Sequence, residues 1–227
     1  MAKILIACEF SGIVRDAFKA KGWDAWSCDL LPTEREGQHI QGDVLEHLND
    51  GWDMMIAHPP CTYLCVTGNK WFKPEFKERF PTREQDRKDA IEFFMALANA
   101  PIPKICIENP IGIMSSLWRK PDQIIQPYQF GEAHSKKTCL WLKGLMPLEP
   151  TKIVEPNMYV YKDGRKDPMW HVESMGLPKR ERAMYRSRTF QGIANAMADQ
   201  WASLKLTKTE TAIPPTTKVV GILAEQL

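Results

Sequence analysis

The chain reads as an α/β protein built on a doubly wound, mostly parallel sheet. Three observations predict it. The runs Lys3-Ile4-Leu5-Ile6-Ala7-Cys8, Met54-Met55-Ile56-Ala57 and Lys104-Ile105-Cys106-Ile107 are short and continuously apolar, as strands buried on both faces are. Stretches with helical spacing stand between them: Ile13, Val14, Ala17 and Phe18, then Ala90, Ile91, Phe94, Met95, Leu97 and Ala98. Each run ends in small, acidic or proline residues, at the carboxyl ends of strands where open α/β sheets place their chemistry.

Composition bounds the rest. The 227 residues, 44% hydrophobic and 26% charged, suit one large domain or one domain with a small appendage. A net charge of only +2 excludes bulk electrostatics as an argument for nucleic-acid binding, so any such surface must be a local patch. The cysteines Cys8, Cys28, Cys61, Cys65, Cys106 and Cys139 have no zinc-like pairing, since Cys61 and Cys65 lack a second pair at matching spacing. No metal site is expected. Met1-Ala2-Lys3 leads directly into a strand, and no apolar run reaches membrane-spanning length. These features predict a cytoplasmic, reducing setting with no membrane contact.

In chain order, the first strand is followed by Glu9-Phe10-Ser11-Gly12 and a helix. Ser11 and Gly12 would let a ligand approach the backbone and the helix amino end. The glycine set of a dinucleotide fingerprint is incomplete, so a polar, non-phosphate ligand head fits better. Asp24 to Cys28 is a second strand tipped by Asp29, an acid placed either to bind ribose hydroxyls or to cap a turn. His39 to Val44 is a short third strand with Asp43 at its end, and Leu45 to Leu48 is a helical turn.

The strand Met54 to Ala57 leads into His58-Pro59-Pro60-Cys61. Two prolines forbid both a helix and a continuing ladder, so a stiff turn presents the thiol. Cys61 is a candidate nucleophile, weighed against a buried structural thiol. Residues 66 to 83 interleave Lys70, Lys73, Lys77, Arg79 and Arg83 with Trp71, Phe72, Phe76 and Phe80. This pattern suits phosphate contact and base stacking, or a solvated loop whose aromatics pack down. After the helix Arg83 to Asn99, the strand ending at Ile107 runs into Glu108-Asn109-Pro110, which repeats the logic of the Cys61 turn: strand end, reactive group, proline exit. In a doubly wound sheet the two tips would be neighbours at one crevice, although Glu108 could also be an exposed turn residue. Lys136 to Leu142 is a strand entered from a basic corner. Residues 147 to 185 show little periodicity, Gln191 to Leu204 is helical, and Val219 to Leu223 ends a Thr/Lys/Pro-rich tail. The expected organisation is a catalytic core over 1–146, a small recognition-like region over 147–186, a returning core helix over 187–206 and a tail over 207–227.

The order of these turns resembles the DNA cytosine carbon-5 methyltransferase family. The Phe-x-Gly turn of that family is matched by Phe10-Ser11-Gly12, its strand-tip acids by Asp29 and Asp43, its Pro-Cys nucleophile turn by Pro60-Cys61, and its Glu-Asn-Val turn by Glu108-Asn109-Pro110. A late Asn-containing helix start is matched by Asn195-Ala196-Met197. The resemblance implies the Rossmann-like sheet of class I methyltransferases and S-adenosylmethionine as cofactor, held by Phe10, Ser11, Gly12, Asp29, Asp43, Pro60 and Asn195. It implies Cys61 as nucleophile, Glu108 as an acid with a raised pKa at ring nitrogen 3 and the exocyclic amine, and Lys136 as a substrate contact. The implied partner is cytosine in DNA, with a free cytosine nucleotide as the alternative. A non-catalytic cofactor- or DNA-binding module is the alternative of a different class.

Three positions depart from the family. Ile13-Val14 stand where it has a second glycine. Its Gln-x-Arg-x-Arg motif appears as His134-Ser135-Lys136-Lys137-Thr138, with Lys136 for the first arginine and Thr138 for the second. Lysine keeps the charge but lacks the planar fork. The recognition-like region is short, which implies a phage-like member with limited sequence readout.

Overall fold

The computed structural model describes residues 1–202. A seven-stranded sheet runs in the order β3-β2-β1-β4-β5-β7-β6. Its strands are β1 (Lys3–Ala7), β2 (Asp24–Asp29), β3 (His39–Gln41), β4 (Met54–Ala57), β5 (Lys104–Pro110), β6 (Gln123–Ile125) and β7 (Thr138–Lys143). The pairs β2/β3, β1/β2, β1/β4 and β4/β5 are parallel, whereas β7 runs antiparallel to both β5 and β6. This is a doubly wound, mostly parallel α/β sheet of Rossmann-like type.

Alternation along the strands feeds two cores. Ile4, Ile6, Met54 and Ile56 point to the face covered by α1 (Ile13–Lys19) and α6 (Gln191–Trp201), where they meet Val14, Phe18, Met197 and Trp201. Leu5, Ala7, Met55 and Ala57 point to the other face, against Phe94 and Leu97 of α2 (Arg83–Ala98). With both faces covered, each strand must be apolar throughout, which is why these runs do not alternate with polar residues. Burying one such side chain contributes about 1.5–3 kcal/mol. No helix among the described residues is long and apolar enough to cross a membrane.

Three expectations are corrected. Glu108-Asn109-Pro110 is not a turn: β5 continues through it, with Glu108 opposite Leu140, Asn109 opposite Cys139 and Pro110 opposite Thr138. Proline is tolerated because it ends the strand, where its missing N–H removes little from the ladder. The region expected to be irregular contains the hairpin β8 (Met158–Val160) and β9 (Lys166–Pro168), then the helices α4 (Met169–Met175) and α5 (Lys179–Ser187); a four-residue α3 (Met114–Leu117) follows β5. The strand expected from Lys136 begins at Thr138. The tail over 207–227 lies outside the described residues.

Candidate active site

The strand order reverses between β1 and β4, and the carboxyl ends of such a pair frame a crevice. The His58 amide donates to the Ala7 carbonyl at 2.9 Å, which joins the two tips. The side chain of Asn109, only 2% exposed, donates to the Pro59 carbonyl at 2.7 Å. Beyond the prolines the chain closes one turn, with the Leu64 and Cys65 amides both donating to the Cys61 carbonyl at 3.1 and 3.0 Å. The stretch after β5 then seals it: the Val66 amide donates to Ile111 and the Ile113 amide to Leu64, at 3.1 and 2.8 Å. At Gly112 a Cβ would stand 2.2 Å from the Leu64 carbonyl oxygen, so this approach requires glycine. From α2, Arg83 donates to the carbonyls of Thr62 and Gly68, and Arg87 to that of Tyr63. The Cys61 turn and the end of β5 therefore form one rigid unit.

Its electrostatics differ from expectation. Glu108 was expected to be held protonated, yet its carboxyl lies below the ordinary range. Burial pushes it up, but a hydrogen bond from His58, the charges of Lys136 and His58, and the Thr138 hydroxyl outweigh burial. His58 Nδ1 lies 3.1 Å from Glu108 Oε2, and both side chains are largely buried. The Cys61 thiol is pushed up, first by its hydrogen bond to Cys65, then by burial and by the negative charges of Cys65 and Glu108, with Lys136 opposing. Cys65 is drawn down to about 5 by the same bond, helped against burial by the Thr67 hydroxyl and the Thr67 and Gly68 amides. Its Sγ lies 3.0 Å from Thr67 Oγ1. Cys61 and Cys65 thus form a hydrogen-bonded thiol pair.

Lys136 Nζ donates to the Arg186 carbonyl at 3.1 Å and stands near the rings of Trp170 and Phe190. It lines a cavity of about 260 Å³ that also touches Ile13, Arg35, Trp170, Phe190 and Gln191. Thus Lys136 links the Cys61–Glu108 unit to the start of α1 and the start of α6.

Of the residues assigned to the cofactor, Phe10, Ser11 and Gly12 follow β1, Asp29 ends β2, Asp43 follows β3 and Pro60 follows β4, whereas Asn195 lies on α6. Phe10, Ser11 and Gly12 are buried after β1, and Gly12 takes a left-handed φ of 71°. The amino end of α1 is already occupied, which corrects the expectation that a ligand approaches it. Glu9 Oε1 accepts from the Val14 amide at 2.7 Å, Glu9 Oε2 from the Arg15 amide at 3.2 Å, and Ser11 Oγ from the Ile13 amide at 3.4 Å. Asp29 accepts from the Leu31 amide at 2.9 Å, and burial raises its pKa. Asp43, exposed, accepts from the Leu45 amide at 3.0 Å. Both acids serve as turn caps, Asp29 toward the Leu31 and Leu30 amides and Asp43 toward the Leu45 amide. They also face Cys8, whose thiol is pushed up by burial and then by Asp29. Cys8 has a left-handed backbone, φ 58°, a conformation that costs a non-glycine residue about 1–3 kcal/mol. Pro60 is exposed beside Cys61. Asn195 is exposed on α6 and accepts from Gln191 Nε2 at 2.9 Å.

His58, Cys65 and Cys8 escaped sequence reasoning. His58 immediately follows the last residue of β4, and Cys65 stands one helical turn from Cys61; either spacing could have flagged them. In the segment over 66–83, Trp71 packs edge-on against Phe76 and Phe80, and Arg83 lies over Phe72, so the aromatics are largely engaged with one another. Lys70, Lys73, Lys77 and Arg79 remain exposed.

No family model and no curated protein matches this sequence. Among solved structures, a protein encoded within an E. coli prophage and provisionally described as a DNA modification methyltransferase is similar at 15% identity and a TM-score of 0.41. The alignment covers 79% of this chain and 56% of that one, so this chain spans little more than half the length of that protein.

Proposed function

We propose that this protein is an S-adenosylmethionine-dependent methyltransferase acting on carbon 5 of cytosine in DNA. The observation that carries the reading is the rigid unit that bears both Cys61 and Glu108, with Asn109 bonded to Pro59 and the charge of Lys136 acting on both groups. The crevice at the tips of β1 to β4 fits the cofactor in kind. Asp29 and Asp43 offer carboxylates suited to hydroxyls, amines and a cationic donor, and the capped amino end of α1 leaves no phosphate site. Bound there, S-adenosylmethionine supplies an electrophilic methyl group.

Carbon 5 of cytosine is a poor nucleophile. Addition of the Cys61 sulfur to carbon 6 makes the ring an enamine that can take the methyl group. Cys61 loses its proton to solvent before it adds, with the charge of Lys136 favouring the thiolate. Glu108 enters as a carboxylate and accepts from the exocyclic amine. Lys136 meets the negative charge that builds at nitrogen 3. The carbon 5 proton passes to solvent, and cleavage of the sulfur–carbon bond restores the ring and releases the Cys61 thiolate, which then takes up a proton. In duplex DNA the target base must first leave the stack. The exposed cations Lys179, Arg180 and Arg186 of α5 suit backbone contact.

The test is label transfer from radiolabelled S-adenosylmethionine to cytosine-containing DNA. Transfer should vanish in Cys61→Ser, and undiminished transfer there would remove the covalent mechanism. The short region over 147–186 keeps a free cytosine nucleotide as the second reading, and transfer to dCMP in place of DNA would select it.

A further inference from the structure

We propose that His58 is a positioning residue for the reaction, one that fixes the Glu108 carboxylate through its Nδ1. The inference rests on the methyltransferase reading above. Its basis is how little the fold needs this imidazole. The turn is already secured without it, by the His58 main-chain amide on Ala7, the Asn109 side chain on Pro59 and the Leu64 and Cys65 amides on Cys61. The ring makes one hydrogen bond, from Nδ1 to Glu108 Oε2 at 3.1 Å, while Nε2 is buried and unpartnered. Buried polar atoms are normally satisfied, and an unmet one is a cost that a purely structural side chain has no reason to keep.

The contact also reaches across the sheet. His58 follows β4 and Glu108 lies within β5, so the bond ties the loop bearing Cys61 to the strand bearing the carboxylate. With Oε2 engaged, the carboxylate cannot rotate freely, and its remaining lone pairs have a fixed direction in which to accept from a substrate amine. Because Glu108 lies in a ladder opposite Leu140, only its side-chain torsions remain to be set, and the imidazole sets them together with the Thr138 hydroxyl. Misplacement of a reacting group by about 1 Å costs on the order of 100-fold in rate.

Three substitutions in the full chain separate the possibilities, with kcat and KM measured by label transfer to DNA and folding checked by thermal melting. His58→Ala should lower kcat about 100-fold with KM changed less than about threefold, because the carboxylate loses its guide but substrate binding does not. His58→Asn, whose amide nitrogen can stand where Nδ1 does, should recover most of the rate. His58→Gln, which reaches instead toward the place of Nε2, should not. Normal turnover by His58→Ala overturns the proposal, as does rescue by glutamine but not asparagine, which would make the imidazole a direct substrate contact. If His58→Ala fails to fold, the asparagine and glutamine variants still decide. A wild-type protein that transfers no label overturns the methyltransferase reading itself, whereas an active wild type beside an equally active His58→Ala overturns only the role of His58.

Discussion

Two strand ends carry nearly the same sequence logic and resolve differently. β4 ends at Ala57, and His58-Pro59-Pro60 carries the chain out of the sheet, so Cys61 sits on a turn. β5 keeps its ladder through Glu108, Asn109 and Pro110, because β7 runs back antiparallel beside it. β4 lies between β1 and β5 and has no such partner beyond Ala57. The nucleophile candidate is thus carried by a loop and the carboxylate by a strand. Rigidity at the loop has to be added from outside, and it comes from β5 and α2: Asn109 on Pro59, Ile113 on Leu64, Arg83 on Thr62 and Arg87 on Tyr63.

The sharpest way to break this arrangement is at Asn109. Asn109→Leu keeps the branching at Cγ but removes the donor to Pro59 and leaves a buried carbonyl unmet. A stability loss of about 1–3 kcal/mol is expected, read by urea unfolding. Label transfer should fall much further than stability, because the loop loses its register against β5. Equal, modest losses in both would show that the strand does not position the turn.

Cys65 comes next in expected effect. The hydrogen bond to Cys65, together with its negative charge, raises the Cys61 pKa, so Cys65→Ala should lower it. A thiol whose pKa falls is deprotonated at lower pH. Alkylation of Cys61 by iodoacetamide near pH 7 should therefore accelerate several-fold, and the rising limb of its pH profile should move toward acid. If turnover falls while alkylation rises, Cys65 supports the reaction by more than its effect on the Cys61 thiol.

Much of this fold was legible from sequence for a simple reason. Strands covered on both faces must be apolar without interruption, so β1, β4 and β5 announce themselves, and the spacing of Phe94 and Leu97 announces α2. β6 was missed because Gln123–Ile125 is too short to show any period. The continuation of β5 was missed because proline reads locally as an exit, while the partner that keeps it in the ladder lies some thirty residues on, at Thr138. The hairpin and two helices between Met158 and Ser187 are short, polar elements whose order comes from contacts such as Trp170 Nε1 on the Ser135 carbonyl. At the site, Cys61 and Glu108 stood out as candidates by residue type and strand position. Their ionisation was not, since it depends on His58, Cys65 and Lys136 meeting in space.

The smallest expected effect separates the rigid unit from the looser side of the molecule. Arg188 donates through Nε to Glu34 at 2.9 Å, and this pair fastens the segment before α6 to the loop after β2 across 154 positions of sequence. Both side chains are about one-third exposed, at 36% and 30%, so solvent screens their attraction. Arg188→Ala should therefore cost about 0–1 kcal/mol, and raising salt toward 1 M should erase even that. The pair stands beside the cavity lined by Lys136, Phe190 and Gln191, so its loss should loosen that wall while leaving the Asn109–Pro59 tie untouched. KM for DNA should accordingly rise more than kcat falls. A large drop in kcat instead would mean that the Glu34–Arg188 side sets the geometry of Cys61, and the contrast between loop and strand would have to be redrawn around it.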